Sequence, residues 1–253
     1  MIKALLARMK QGYRTAPYPT PAPVLPDRFR GLPRLEPGRC PAGCASCVAA
    51  CPNAAVTAGP AGVRLDLGRC LFCAGCARAC PHGALQFSGE YRLAANTRAA
   101  LSCDGRTHVL ARALDDKARR LFGRSLKLRQ VSAGGCNACE ADTNVLNTLT
   151  FDLGRFGIQF VASPRHADGL LITGPVTANM QAALLKTYAA VPLPKLVIAV
   201  GACAIAGGPF RDLPAVHNGA DAVVPVDLYV PGCPPHPWTI LDGLLRLLGR
   251  LDA

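Results

Sequence analysis

The chain has 253 residues, of which 50% are hydrophobic and 17% charged, and its formal net charge at pH 7 is +12. This hydrophobic fraction excludes an intrinsically disordered protein, and the 22 prolines and 25 glycines show no three-residue period, which excludes a collagen-like fibre. The unusual number is the 13 cysteines. Their chemistry depends on spacing and on the compartment in which they work.

The first residues predict an amphipathic helix over 1–14 that carries positive charge. Two interpretations stay open, a helix lying on a membrane surface or a partner and an ordinary surface helix. Arg8 and Lys10 interrupt any apolar region of signal-peptide length, and the longest apolar stretch, 196–210, is shorter than the ~18 residues that a membrane span needs. We therefore expect reduced thiols that bind metal rather than disulfides.

Residues 15–37 are rich in proline and are expected to run as an extended arm over a surface. Two four-cysteine runs follow, CPAGCASCVAACP at 40–52 and CLFCAGCARACP at 70–81. The second is the run that holds bacterial-type [4Fe–4S] clusters, and the first has one extra residue between its first two cysteines. Zinc sites use separated cysteine pairs instead. The duplication predicts a two-cluster ferredoxin module of α+β type over 38–90.

In two-cluster ferredoxins, the fourth cysteine of each run ligates the other cluster. The expected ligands of the first cluster are Cys40, Cys44, Cys47 and Cys80. The expected ligands of the second cluster are Cys70, Cys73, Cys76 and Cys51. His82 follows the second run, either in a surface loop or as a modulator of the neighbouring cluster. Cys103 lies outside both runs and is interpreted as a structural thiol.

A charged, helical connector is predicted over 91–125, and an α/β domain over 126–253. Short apolar segments alternate there with segments of helical periodicity, which favours a mostly parallel sheet covered by helices. The predicted strands are 125–132, 158–161, 169–173, 195–200 and 222–230. The predicted helices are 141–155, 178–190 and 238–251.

The last four cysteines follow the ends of predicted strands. The carboxyl ends of parallel strands meet at one edge of a sheet, so these thiols are expected to converge there. Four thiolates suit zinc or a third [4Fe–4S] cluster, and a chain that already holds two clusters favours the third. The ligands of this site are expected to be Cys136, Cys139, Cys203 and Cys233. Neighbouring glycines would allow a close approach of the backbone.

Several of these segments resemble known subunits. GGCNACEADTNVLNTLTFDLGRFGIQFVASPRHADGLLITGPVT, VGACAIAGG and VPGCPPHPWTILDGLLRLL resemble the small iron–sulfur subunit of complex I and of energy-converting [NiFe] hydrogenases. The segment YPTPAPVLPDRFRGLPRL, together with the cysteine runs, resembles the eight-iron ferredoxin subunit of the same complexes. The resemblance implies a fusion of the two subunits, in which a flavodoxin-like domain carries the third cluster. The spacing Cys136-Asn-Ala-Cys139 resembles the formate hydrogenlyase-like (group 4) hydrogenase form.

This resemblance implies a non-catalytic electron-transfer subunit of an oxidoreductase complex, peripheral on the cytoplasmic side of the inner membrane. The implied partners are a large subunit with a Ni–Fe centre or a quinone site, membrane-embedded subunits of the proton- or ion-pumping type, and an upstream donor such as formate dehydrogenase or ferredoxin. The alternative is the same set of clusters in a nickel-free complex that reduces quinone, linked to NADH or formate.

Other residues have two interpretations each. Glu140 is either a proton relay or a first-turn helix acid, and Arg165 and His166 either line the partner interface or pair with Asp168. His236 stands where the family often has Arg.

The net charge also suggests a nucleic-acid-binding protein. This interpretation is disfavoured, because no aromatic residues are interspersed among the arginines. Residues 1–130 contain 21 basic and 7 acidic side chains, and this charge would compensate anionic clusters and favour docking of partners or anionic lipid.

Overall fold

A computed structural model describes residues 2–41, 43–59, 62–105 and 108–251. The first half of the chain contains short elements. These are α1 (Ile2–Gln11), β1 (Pro33–Leu35), α2 (Ser46–Ala49), β2 (Val56–Gly59), β3 (Gly62–Asp66), α3 (Gly75–Arg78), β4 (Leu85–Phe87), β5 (Ser102–Cys103) and α4 (Asp116–Phe122). The second half contains longer ones. These are β6 (Leu126–Ser132), α5 (Ala138–Val145), β7 (Ile158–Phe160), β8 (Gly169–Thr173), α6 (Ala178–Ala190), β9 (Leu196–Val200), α7 (Ala202–Ala206), β10 (Leu228–Val230) and α8 (Pro237–Leu247).

The second half forms a five-stranded sheet in the order β10-β9-β8-β6-β7, and every neighbouring pair is parallel. Every residue of β8 and β9 is buried, because helices and loops cover both faces of the sheet. This confirms the predicted α/β domain.

Three predicted elements of this domain are shorter than expected, and one of them is the helix predicted over 238–251, which ends at Leu247 as α8. The strand predicted over 222–230 covers only β10, because Pro225 cannot donate a ladder hydrogen bond and residues 221–223 form a turn. The helix predicted over 141–155 ends at Val145, and a short 3-10 helix follows at Leu153–Phe156.

The ferredoxin-type part consists of two small antiparallel sheets, β1-β4 and β2-β3-β5. The short helices α2 and α3 follow the cysteine loops and repeat the same arrangement, as the internal duplication predicts. The strands β1 and β5 come from residues outside 38–90, since Leu35 pairs with Leu85 and Cys103 pairs with Leu65. The module therefore recruits strands from both flanking segments.

The segment between the modules packs onto the parallel sheet. Ala95 and Tyr229 exchange two backbone hydrogen bonds of 3.0 and 2.8 Å, so residue 95 caps the free edge of β10. One continuous core contains Leu65 of the ferredoxin-type part and Ile172 of the sheet. Among the described residues of the connector predicted over 91–125, α4 is the only α-helix. The pairing of Ala95 with the edge of β10 requires extended backbone in the first part of this segment.

The proline-rich arm is anchored on the second half of the chain. The Tyr18 ring stacks on Trp238, with centroids 4.9 Å apart, and its hydroxyl donates to Asp242 at 3.1 Å. Arg246 Nε donates to the other oxygen of the same carboxylate at 2.8 Å. By contrast, α1 has no buried residue. None of the helices in the described part of the chain is long and apolar enough to cross a membrane.

Candidate metal centres

The first cysteine set lies around α2 and the loop after α3. Cys47 is buried, whereas Cys40 and Cys44, which interact with it electrostatically, are half-buried. The Ala84 amide donates to Cys80 Sγ at 3.3 Å. Burial opposes ionisation of Cys80, but the amides of residues 82–85 outweigh it and lower the pKa of this thiol. The backbone here is arranged to stabilise a thiolate.

The second set lines one cavity. Its four cysteines share that cavity with apolar side chains that include Val56 and Leu65. They are Cys51, Cys70, Cys73 and Cys76. Amide donors again point at sulfur, from Ala55 to Cys51 at 3.2 Å and from Phe72 to Cys70 at 3.3 Å. The structure thus brings the last cysteine of the first run together with three cysteines of the second run, and the assignment of these four as ligands of one cluster stays a prediction.

The third set lies at the carboxyl edge of the parallel sheet. Cys136 and Cys139 follow β6, Cys203 lies in α7 directly after β9, and Cys233 follows β10. The four thiols interact electrostatically with one another. Gly201 has a φ of +91°, and a Cβ atom there would lie 2.5 Å from Cys139 Sγ. The sheet topology thus brings distant cysteines together, as the sequence predicts.

These thiols are suited to a cationic metal centre. Burial raises the pKa of Cys70 to about 12 and that of Cys76 to about 11. Burial and the neighbouring cysteines also raise the pKa of Cys203, to about 12, and that of Cys139. Clustered thiols of this kind ionise when a metal binds and releases their protons. A donor set of four sulfurs fits [4Fe–4S] chemistry, and in the first two sets the amide hydrogen bonds to sulfur add to this fit.

Within the described ranges, no three His, Cys, Asp or Glu side chains are grouped closely enough to hold one metal ion. In a [4Fe–4S] cluster, each cysteine binds a different iron atom, so the four sulfurs surround the cluster and do not meet at one point.

The second and third sets adjoin one another. Cys73 and Cys233 interact electrostatically and line the same cavity, which has a volume of about 420 Å³. This proximity was not predicted from the sequence, because it depends on how the two modules pack. Phe72 also lies at this junction, with a φ of +51°, and no sequence motif marked it.

The structure also places Glu140, His236 and Cys103, for which the sequence suggests roles. Glu140 is buried in the first turn of α5 and accepts hydrogen bonds from Ser132 (2.6 Å) and Thr173 (2.7 Å). His236 caps α8, since its Nδ1 accepts from the Trp238 amide at 3.2 Å. Cys103 is buried in β5.

Of the two interpretations of Arg165 and His166, pairing with Asp168 is not present among the described residues. The Asp168 carboxylate accepts a hydrogen bond from the Lys127 amide at 2.7 Å, and neither Arg165 nor His166 forms a salt bridge with it in this part of the structure. Asp168 directly precedes β8 and lies beside Lys127 of β6, whose backbone amide binds the carboxylate. Arg165, His166 and His82 lie on the surface or close to it.

One prediction concerns the glycine beneath the third set. Gly201→Ala is expected to lower the iron content of the purified protein, because the new methyl group would displace Cys139 Sγ. The backbone of Gly201, with a φ of 91° and a ψ of 157°, also costs a residue with a side chain about 1–3 kcal/mol. Iron analysis and the thermal midpoint measure the two effects. Gly12→Ala is the control, since Gly12 has a φ of +64° but open space around it. Equal iron content in both variants would contradict the close approach.

The fold and the three cysteine sets define a class, an α/β iron–sulfur protein with a ferredoxin-type module. Residues 136–247 match the family described as NADH ubiquinone oxidoreductase, 20 Kd subunit, and residues 63–86 match the 4Fe-4S binding domain. These matches support [4Fe–4S] clusters as the cofactors.

Curated relatives agree with this class. The chain is 47% identical over 129 residues to "Formate hydrogenlyase subunit 7" of Escherichia coli, an alignment that covers 51% of each chain. It is 42% identical over 132 residues to "Probable membrane-bound hydrogenase subunit mbhJ" of Pyrococcus furiosus, covering 52% of this chain and 79% of the relative. It is 44% identical over 121 residues to a subunit of the NADH-quinone oxidoreductase of Heliobacterium modesticaldum, covering 47% and 69%.

The chain belongs to the family of the NADH ubiquinone oxidoreductase 20 kDa subunit, and it carries a ferredoxin-type segment before the family region. The resemblance predicted from the motifs is thereby confirmed. The chain spans about half the length of the Escherichia coli relative.

Proposed function

We propose that this chain is the electron-transfer subunit of a membrane-associated hydrogenase or complex I-like oxidoreductase, and that it holds three [4Fe–4S] clusters. The main support for this proposal is that Cys73 and Cys233 line the same cavity, so that the second and third cysteine sets are neighbours. When bound, each cluster would accept and release one electron. The chain itself would make and break no bond of a substrate.

The residues around the cysteines would set the properties of these centres. The amides of Ala55, Phe72 and Ala84 donate to ligand sulfurs, and such hydrogen bonds favour the more negative, reduced state. Apolar side chains such as Val56 and Leu65 exclude water from the second set. Since an oxidised [4Fe–4S] cluster with four thiolates carries roughly −2, the basic first half would compensate its charge.

The third set is the proposed contact with a large subunit that contains a Ni–Fe centre or a quinone site. Cys136 and Cys233 are exposed at the edge of the sheet, so a partner can approach the third centre there. The names of the relatives, which are subunits of a hydrogenlyase, a membrane-bound hydrogenase and an NADH-quinone oxidoreductase, support such a partner. The further proposed partners are membrane-embedded ion-pumping-type subunits and an upstream electron donor, such as formate dehydrogenase or ferredoxin.

Nickel distinguishes the two versions of this proposal. The complex would be purified from host membranes through an affinity tag on this chain, and its nickel content and its hydrogen and quinone activities measured. Stoichiometric nickel with hydrogen activity supports the hydrogenase. Quinone reduction without nickel supports the alternative of a nickel-free complex. A chain purified with neither activity, and with no large subunit, would contradict both versions.

The helix α1 is proposed to lie on the membrane surface on the cytoplasmic side. Its apolar side chains are exposed rather than packed, and its charged residues are all basic. The apolar set is Ile2, Leu5, Leu6 and Met9. A short basic helix with one apolar face suits the interface of an anionic bilayer.

A vesicle assay tests this placement. Leu5→Glu is expected to weaken binding of the full chain to phosphatidylglycerol-containing vesicles roughly tenfold, since burying a leucine contributes ~1.5–3 kcal/mol. Flotation with these vesicles and with phosphatidylcholine vesicles measures the effect. Leu149→Glu, at an equally exposed leucine outside α1, is the control and should bind like the unmodified chain. Identical binding of both variants would instead support an ordinary surface helix.

A further inference from the structure

Two neighbouring residues of the proline-rich arm contact loops of both the second and the third cysteine sets. Arg30 Nη1 donates to the carbonyl oxygen of Phe72 at 3.3 Å, and Phe72 lies between two ligands of the second set. The Phe29 ring meets the His236 ring edge-on, with centroids 5.5 Å apart, and His236 lies three residues after Cys233. The dipeptide therefore bridges the junction where these two sets adjoin.

The arm is held firmly at this point. The Gly31 amide donates to the Ser88 carbonyl at 2.8 Å, and the Leu32 amide donates to the Glu90 carbonyl at 2.9 Å. A Cβ atom at Gly31 would lie 1.9 Å from the Glu90 oxygen, so only glycine allows the arm to lie this close to the ferredoxin-type part. Phe29 and Arg30 are consequently fixed relative to the end of β4.

Phe72 couples the arm to a ligand sulfur. Its amide donates to Cys70 Sγ at 3.3 Å, while its carbonyl accepts from Arg30. Its φ of +51° is rare for a bulky residue, and its ring packs edge-on against Phe87 with centroids 6.1 Å apart. A residue held in this conformation needs support from its neighbours, and Arg30 supplies part of that support. Loss of the Arg30 contact would allow the amide to turn away from the sulfur.

Positive charge lies at the same junction. Arg28 and Arg30 both line the cavity that Cys73 and Cys233 share. Reduction of a cluster adds a negative charge, so amide donors to its sulfurs and nearby cations stabilise the reduced state and raise the midpoint potential. Arg30 differs from Arg28 because it also holds Phe72.

We propose that Phe29 and Arg30 form a strap that fixes the Phe72 loop against the Cys233 loop, and that Arg30 is a positioning residue for the potential of the second cluster. This inference rests on the proposed three-cluster electron transfer. It assigns the arm a role in the junction between the modules, in addition to its anchoring at Tyr18.

Redox titration followed by electron paramagnetic resonance tests the strap in the full, iron-loaded chain. Arg30→Ala is expected to shift the midpoint potential of the second cluster to a more negative value and to leave that of the first cluster unchanged. Arg30→Lys, which keeps the charge and one donor, should recover most of the shift. Arg28→Ala removes a charge from the same cavity without removing the Phe72 contact, so its shift should be clearly smaller.

Gly31→Ala provides an independent test, because it moves the strap away from Phe72 without changing the Arg30 side chain itself. It should shift the same potential in the same direction as Arg30→Ala. Should Arg30→Ala lose its iron, Arg30→Met, which keeps the length of the side chain but has neither the charge nor the donor, replaces it in the comparison.

Unchanged potentials in the Arg30 and Gly31 variants, or equal shifts in Arg28→Ala and Arg30→Ala, would overturn the strap. Absence of a second or third cluster from the unmodified protein would instead overturn the proposed function, so the two failures are distinguishable.

Discussion

Cys203→Ser is expected to remove one complete centre, so that the iron content falls from about 12 to about 8 atoms per chain. Cys203 is buried in α7, and its thiol interacts electrostatically with Cys136 and Cys233. Serine provides an oxygen that binds iron less well than a thiolate in a site built for sulfur. Colorimetric iron analysis of anaerobically purified protein measures the loss.

Cys103→Ser is the matched control for this experiment. Cys103 is buried like Cys203, but it lies in β5 outside the three ligand sets. Its replacement should leave about 12 iron atoms in place. A loss of iron from Cys103→Ser, or full iron in Cys203→Ser, would show that the ligands are assigned wrongly.

Asp242→Ala is expected to destabilise the protein by about 3–5 kcal/mol, because it removes the carboxylate that faces the buried Arg246. The side chains of Asp242 and Arg246 are only 1% and 5% exposed. Burial raises the pKa of the Asp242 carboxyl, and Arg246 and Tyr18 oppose this shift by stabilising its charge. The substitution would also release Tyr18, and with it the arm.

Urea unfolding followed by circular dichroism, at equal iron content, measures this change. Asp116→Ala is the control, since Asp116 and Arg119 also form a pair within one helix but are 78% and 44% exposed. An exposed pair of this kind contributes about 0–1 kcal/mol. Similar midpoints for the two variants would mean that the Asp242 pair does not hold the arm.

The parallel sheet could be predicted from the sequence because its strands carry their own signal. The segments that became β8 and β9 are uninterrupted apolar runs, as expected of strands buried on both faces. The grouping of the cysteines could be predicted for a similar reason, since local spacing marks the first two sets and strand ends mark the third. In each case the sequence signal lies within a few residues of the cysteine itself.

The contacts between distant segments could not be predicted in this way. The strands β1 and β5 are three and two residues long and exist only because β4 and β3 lie beside them. Tyr18 and Asp242 are separated by 224 positions, and no periodicity links them. The approach of Cys73 to Cys233 and the position of Arg30 likewise follow from the packing of the two modules.

The proposed electron transfer requires three four-iron centres in one chain, and these centres can be counted. Iron and acid-labile sulfide would be measured on the anaerobically purified chain, together with spin quantification during a reductive titration. The proposed function predicts about 12 iron atoms per chain and three centres that are reduced in one-electron steps. Zinc in the cysteine sites, or fewer than about eight iron atoms per fully loaded chain, would contradict it.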